Sequence, residues 1–413
     1  MAPAYDLLII GGGMVGASLA TALLPVAHSL GLSIAVIEAQ AMPGAGEPYQ
    51  PSYDARTTAL SYGARSFYER TGVWQRLAEH LTPIEHIHVS DKGHFGAARL
   101  HAKEEGVPAL GYVVENHWLG RVLLDHLRDK GQGAVDLICP AEVMSLTHQT
   151  EGYRVEVQSG GDRHECIAQL VVMADGGRSE LRNTLGIPYS QESYQQYALV
   201  SNVSIDRPHA GVAYERFTAT GPMALLPSES QGYEHRCGLI WTLPEASIDR
   251  VLNLSDKAFI RELQETFGYR SGRFMRVGER YHYPLKLTVA QEQVRTGLVM
   301  LGNAAHSLHP IAGQGYNLAL RGVTDLAETI VASCRQQRAL GDLEALQAFE
   351  QKRRQDQFRT IAFSDKTMKL FSNTNSISAL GRDLGLQLLD VSPPLKSLLA
   401  RSAMGLDYPA LRV

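Results

Sequence analysis

At 413 residues, 44% apolar and 20% charged, the chain has the make-up of a soluble globular protein with a sizeable core and two or three domains. A net charge of −4 argues against nucleic acid as the main partner, and no segment reaches the roughly 20 apolar residues of a spanning helix. Cys139, Cys166, Cys237 and Cys334 form no CxxC pair, which argues against a zinc site, a dithiol centre or a disulfide framework and fits a reducing cytoplasm.

Residues 7–27 imitate a signal peptide, but no Lys or Arg precedes Arg56, and glycines and Pro25 interrupt the run. A strand–turn–helix explains it better. Residues 5–10 read as a buried parallel strand, apolar without alternation. Gly11, Gly13 and Gly16 then fit G-x-G-x-x-G: a tight turn, room for a pyrophosphate, and a helix seated close on the strand. That helix is predicted from about Met14 into the twenties, its N-terminal amides favouring phosphates. Residues 33–37 form the second strand, ending in Glu38, placed for the ribose hydroxyls. An acid here disfavours a 2′-phosphate and fits FAD or NAD. No second G-x-G-x-x-G occurs, so a nicotinamide reductant is expected to bind without a Rossmann unit of its own.

Two more apolar runs end in glycine-rich segments. Residues 169–174 lead into Asp175-Gly176-Gly177, and 297–301 into Gly302-Asn303, running on to Gly313-Gln314-Gly315. A long helix follows at about 316–334, with Ala319, Val323, Leu326, Ile330 and Val331 at helical spacing. Gly313 and Gly315 let a ligand approach its N-terminus. Three such segments in this order predict one FAD wrapped along the length of the chain. Between them, 190–285 is rich in short β runs separated by turn clusters, an antiparallel sheet roofing the flavin. Phe217, Pro222 and Trp241 are candidates to line a pocket there, ordinary sheet core being the commoner role for each. Residues 351–404 carry nine Lys or Arg against four Asp or Glu, interleaved with apolar residues. This suits either contact with an anionic membrane surface or, the favoured reading, a solvated helix packed on the FAD domain.

With these segments in view, the sequence resembles the class A flavoprotein monooxygenases, the aromatic hydroxylases related to p-hydroxybenzoate hydroxylase, over roughly residues 5 to 350. Within them it looks most like the ubiquinone-biosynthesis hydroxylases, in particular those acting on an octaprenyl methoxyphenol. The resemblance is carried by Gly302-Asn303-Ala304-Ala305, Leu308-His309-Pro310-Ile311-Ala312-Gly313-Gln314-Gly315, Val89-Ser90-Asp91-Lys92-Gly93-His94 and Glu215-Arg216-Phe217. It implies an α/β fold with a Rossmann-like FAD-binding domain of the p-hydroxybenzoate hydroxylase type, an antiparallel β-sheet substrate domain and a helical C-terminus. The expected division is 1–80, 100–189 and 286–350 for FAD, 81–99 and 190–285 for substrate, and 351–413 for the helical end.

The resemblance implies FAD as cofactor and NAD(P)H as co-substrate, with oxygen transferred from O2 to a polyprenylated phenol through a flavin C4a-hydroperoxide. Gly11, Gly13, Gly16 and Glu38 are expected at the ADP half of FAD. Arg56 and Arg121 are expected near its phosphates, where a guanidinium offers paired donors. Asp175 and Gly176 match a motif linked to FAD and nicotinamide handling. Gly302, Asn303, Pro310, Gly313, Gln314 and Gly315 are expected around the flavin. Asn303 stands where most relatives have Asp; it keeps an acceptor oxygen but not the charge. His309, Pro310 and Gln314 are candidates to face flavin or substrate, and no catalytic base is named. His306 and His309 lack a third ligand at a recognisable spacing, so no metal is expected. The resemblance also implies a place in a multiprotein assembly of ubiquinone biosynthesis. The rival readings are hydroxylation at another ring position, a flavin reductase or dehydrogenase without oxygen insertion, and a non-catalytic subunit that retains FAD.

Overall fold

The structure is a computed structural model. It describes all residues except 1–2, 42–48, 50–51, 53–55, 95, 178–179, 231–233, 308–312, 372–386, 388–389, 407, 409 and 413, and all their side chains except 363–364 and 366–371.

The strand Ala4–Ile10 lies inside an eight-stranded sheet. It pairs in parallel with Ile34–Ile37 on one side and Asp162–Met173 on the other, and these pair in parallel with Val135–Ile138 and Leu298–Met300. Leu7, Leu8 and Ile9 are fully buried, because both faces of this run need cover. The helices Met14–Leu30, Asn116–Lys130 and Gln314–Arg335 supply it on the Leu7 and Ile9 face. A hairpin, Glu142–Gln149 with Gly152–Ser159, supplies it on the Leu8 and Ile10 face. The strand expected at 169–174 is the end of a longer one. Its first half alternates exposed Glu165, Ile167 and Gln169 with buried Cys166, Ala168 and Leu170, as suits pairing with the hairpin.

A nine-stranded sheet contains His86–Asp91, Ala97–His101 and the strands between Tyr189 and Ala290. The short runs expected in this region join into long strands; Ala198, Leu199 and Val200 belong to Tyr189–Ile205. Two helices not foreseen from the sequence, Glu245–Leu252 and Asp256–Phe267, cover one face. The second had a readable signal: Ser255 caps it through Ala258 N, and Phe259, Leu263 and Phe267 recur every four residues. Trp241 packs edge-on against Phe259 beneath it, so Trp241 is core on the helix-covered face.

A three-stranded sheet, Thr57–Ser61, Gly111–Glu115 and Leu81–Ile84, lies against the other face. A buried ion pair between Arg236 and Glu115 joins the two sheets. The line expected at 350/351 falls within one continuous helix, Leu343–Phe371, which packs on Gln314–Arg335 across that point.

Candidate flavin site

Register fixes the site. Ile10 is the partner of both Ile37 and Met173, and Met173 of Met300, so four parallel strands end level. Each is followed by one of the segments singled out above: Gly11–Gly16, Glu38, Asp175–Gly177 and Gly302–Asn303. Open parallel sheets bind ligands at this carboxyl edge.

The segments also touch. A Cβ on Gly11 would lie 2.6 Å from the Ala174 carbonyl oxygen, one on Gly177 3.1 Å from that of Asn303, and one on Gly302 3.0 Å from Val15. Gly16 admits no side chain, since its Cβ would fall 1.9 Å from the Gly11 carbonyl oxygen. Gly13 and Gly315 differ: a Cβ at either would meet nothing within 4 Å. Packing therefore requires Gly11 and Gly16, whereas Gly13 and Gly315 border open space at the first turns of two helices. Among the described residues neither helix has a side-chain cap, which suits a ligand at the amides of both N-termini. This set of level strand ends, bare helix starts and open glycine positions fits a large anionic dinucleotide.

Glu38 receives the Gly12 amide at 2.7 Å and the Gln40 amide at 2.8 Å, one on each oxygen. Each oxygen keeps a free lone pair, the capacity a ribose diol needs. Asp175 turns its own loop by accepting the Gly177 amide at 2.9 Å, and Gly176 and Gly177 follow each other at positive φ. Asn303 is exposed, and among the described residues no hydrogen bond or ion pair engages its amide. Gly313, at φ 62°, starts the helix Gln314–Arg335, and its Cβ would meet Ala59 at 3.0 Å. Gln314 lies in the first turn. His309 and Pro310 lie outside the described residues.

The two arginines sit at a different corner. Arg56 donates to the Tyr283 hydroxyl at 2.8 Å across the interface with the large sheet. Its carbonyl accepts the Asn116 amide at the start of Asn116–Lys130, the helix carrying Arg121. Arg121 lies 3.6 Å from Asp125, which also takes Arg76 at 2.6 Å and Arg128 at 3.1 Å.

Sequence reading missed the polar clasp that holds the two helix starts together. The Tyr316 hydroxyl is 3.0 Å from Ser18 Oγ and 2.6 Å from the Tyr68 hydroxyl. Asn317 accepts the Ser61 amide at 2.8 Å and donates to the carbonyls of Ala59 and Gly313, both at 2.9 Å. The available signal was Tyr316-Asn317 directly after the third glycine segment. His306, the first residue of a short strand beside this segment, is buried, and among the described residues neither ring nitrogen has a hydrogen-bond partner. Burial, with Arg353 nearby, lowers its pKa to about 4. Among the described residues no three metal-ligating side chains converge.

These features define an FAD-dependent oxidoreductase of the aromatic hydroxylase fold. The chain matches the family described as FAD binding domain over residues 4–364 and belongs to it. Among its relatives, the ubiquinone hydroxylase UbiL of Rhodospirillum rubrum is 36% identical, the match covering 97% of this chain and 89% of the relative. The 3-demethoxyubiquinol 3-hydroxylase of Escherichia coli is 30% identical, with 97% and 98% covered. The fold matches the p-nitrophenol 4-monooxygenase PnpA of Pseudomonas putida with a TM-score of 0.77 at 16% identity, over 100% of both chains. Within its family the chain thus stands among the class A flavin monooxygenases that include the ubiquinone hydroxylases.

Proposed function

We propose that this protein hydroxylates the ring of a polyprenylated phenol or methoxyphenol in ubiquinone biosynthesis, using FAD, NAD(P)H and O2. The observation that carries this reading is the meeting of three glycine segments at one level carboxyl edge, in a chain that sets a second, large sheet beside the parallel one. Bound FAD would supply the redox chemistry, taking a hydride from NAD(P)H and passing an oxygen atom from O2 to the ring. The protein's share is binding and placement. Gly13 and the start of Met14–Leu30 would take the pyrophosphate, with Glu38 on the ribose. Arg56 and Arg121 would approach from the small-sheet corner. Asp175, Gly176, Gly302 and Asn303 would line the middle of the cofactor. Gly313, Gln314 and Gly315 would set a helix N-terminus against the ring system, where its dipole favours negative charge. Pro310 and His309, a few residues before Gly313 in the sequence, are assigned to the flavin or substrate side.

The decisive experiment is to feed the purified yellow protein NADH or NADPH, O2 and either 2-octaprenyl-6-methoxyphenol or a 3-demethoxyubiquinol, and to identify the product by mass spectrometry. Hydroxylation of the former matches the ring position favoured by the motif resemblance; hydroxylation of the latter matches the function named for the Escherichia coli relative. Flavin reduction without any hydroxylated product would make the chain a reductase and overturn the reading.

We further propose that the C-terminal region touches the membrane in which such a substrate resides. No described helix is long and apolar enough to cross one. Much of the basic excess is engaged internally: Lys352, Arg353, Arg354 and Lys396 all face carboxylates. The support is apolar instead. Leu395 and Leu398, three residues apart on the helix Pro393–Ala403, are 43% and 64% exposed, and Val391 just before its start is 75% exposed. Flotation with anionic liposomes should be lost when all three are changed to serine; undiminished flotation would remove the proposal. Association with other proteins of the pathway is proposed on the family resemblance alone, and co-purification of tagged protein tests it.

A further inference from the structure

One face of the large sheet lies under the helices Glu245–Leu252 and Asp256–Phe267; the opposite face is turned to the FAD-binding part of the chain. Tyr214 is on the helix side, its ring 5.7 Å from Phe267. Glu215, next along the strand Val212–Thr218, is therefore on the other side. Its register partners continue across the sheet as Val89 on one flank and Ala224, Ile240, Val200 and Tyr281 on the other. Beside Glu215 this row is an apolar floor. Ala213, two residues earlier on the same side, packs with Ile84, Val113 and Ala59. Ala59 is the residue that a Cβ on Gly313 would meet. Apolar packing thus links Ala213, two residues from Glu215, to the start of the helix whose N-terminus was assigned to the flavin ring.

Glu215 makes no hydrogen bond and no ion pair among the described residues. Burial alone lifts its pKa to about 7. A desolvated carboxyl without a partner is costly to keep in a fold. Other charged or titratable groups on this face stand apart or are engaged. Asp91 lies one step along the neighbouring strand. Arg236 is committed to Glu115, and Tyr283 to Arg56. From the helix Leu343–Phe371, Asp365 faces Tyr194 at 3.5 Å. Among the described residues Glu215 is an unengaged strong acceptor beside apolar side chains, which suits a hydroxyl carried on an aromatic ring.

We propose that Glu215 binds the phenol hydroxyl of the substrate and takes its proton as the ring is oxygenated. This inference rests on the hydroxylase reading above and names its catalytic base. The phenol O–H bond breaks and an O–H bond forms on Glu215. The freed electron pair moves into the ring, whose carbon bonds one oxygen atom of O2 as a hydroxyl; the O–O bond breaks, and the second oxygen atom leaves as water with the two electrons and hydrogen of NAD(P)H and a proton from solvent. On rearomatisation that carbon releases its proton to solvent, and Glu215 returns its own to the phenolic oxygen.

The test uses the flavin-loaded protein and 2-methoxyphenol carrying a geranyl chain. Glu215→Gln should keep its FAD and its rate of reduction by NAD(P)H. Its kcat for hydroxylation should fall about 10²–10³-fold with KM raised several-fold at pH 8, and the limb of the pH profile near neutrality should disappear. Glu215→Asp should recover part of both. Binding supplies a readout without turnover. Phenol affinity of the wild-type protein, measured anaerobically by calorimetry, should be several-fold higher at pH 8 than at pH 6, because the carboxylate is the better acceptor. The difference should vanish in Glu215→Gln. Equal wild-type affinity at the two pH values, or a Glu215→Gln variant that hydroxylates at the wild-type rate, overturns the assignment alone. No hydroxylation of any prenylated phenol by the wild-type protein overturns the hydroxylase reading and this inference with it.

Discussion

Two helices start at the same point of the molecule and are held there by different forces. Met14–Leu30 carries no acid, Lys or Arg and is buried almost without break from Gly16 to Leu24. It is seated by apolar packing on nearly every side. Gln314–Arg335 is amphipathic and is pinned by charge. Asp325, only 2% exposed, takes Lys352 at 2.5 Å and Arg353 at 3.0 Å, while Asp356 takes Arg353 at 2.6 Å and Arg321 at 2.9 Å. Apolar burial sets how closely a helix sits on its neighbours but is not directional. Paired guanidinium and carboxylate groups also fix rotation and register. The helix assigned to the phosphates needs proximity, and the one assigned to the ring needs orientation.

The largest test of this contrast is Arg353→Ala. It leaves buried carboxylates short of a partner and should cost about 3–5 kcal/mol, read as a fall in the denaturant midpoint at unchanged m-value. Arg353→Met should lose less than Arg353→Ala, by retaining packing volume. A loss below 1 kcal/mol for both variants would mean that the charges do not pin the second helix.

The next effect is pH dependence beside the same anchor. His306 is held neutral by burial, with its pKa near 4, whereas in the unfolded chain it protonates at about 6.5. The unfolded state therefore binds more protons between these values, and stability falls as pH drops from about 6.5 to 4, by at most about 3 kcal/mol. His306→Leu should flatten this limb. Asp356 has the opposite raw tendency, since burial pushes its pKa up, but Arg321 and Arg353 outweigh burial and hold it below the ordinary carboxylate range. Its contribution is present at neutral pH and is lost only as pH falls below about 3.8. Thermal melts from pH 7 to pH 3 separate the two windows.

Smaller effects come from the first helix. Gly16→Ala sets a methyl group against backbone and should cost about 1–3 kcal/mol and weaken flavin retention. Gly13→Ala should leave the melting point of the flavin-free protein unchanged, because nothing lies within reach of the added carbon. Its FAD affinity should still fall about tenfold, or about 1.4 kcal/mol. Flavin fluorescence titration measures this, and equal affinity in Gly13→Ala would remove Gly13 from the phosphate site.

The contrast also explains what the sequence made legible. The parallel strands, the glycine turns and Glu38 were readable because short-range requirements set them: an apolar run, a missing side chain, an acid at the end of a strand. The helix Gln314–Arg335 was readable from its periodicity. Its anchor was not, because residues 325 and 353 meet only when two helices lie side by side. The basic excess after residue 350 read equally as surface charge, yet Arg353 is nearly inaccessible. Trp241 could not be assigned to core or pocket without knowing which face the unforeseen helices cover. Glu215 was noticed only as part of a motif; which way it points is decided by its place in a sheet whose strand Val212–Thr218 pairs in parallel with His86–Asp91, more than 100 residues earlier.

The parallel sheet has one further consequence, for biogenesis. The strand Leu298–Met300 docks beside Asp162–Met173, but most of the nine-stranded sheet, the strands from Tyr189 to Ala290, is translated between them. A nascent chain still on the ribosome can fold its opening βαβ unit early, yet the third wall of the nucleotide cleft is missing until residues past Gly315 leave the exit tunnel. Flavin capture must therefore come late in synthesis, after the substrate-side sheet has had time to form.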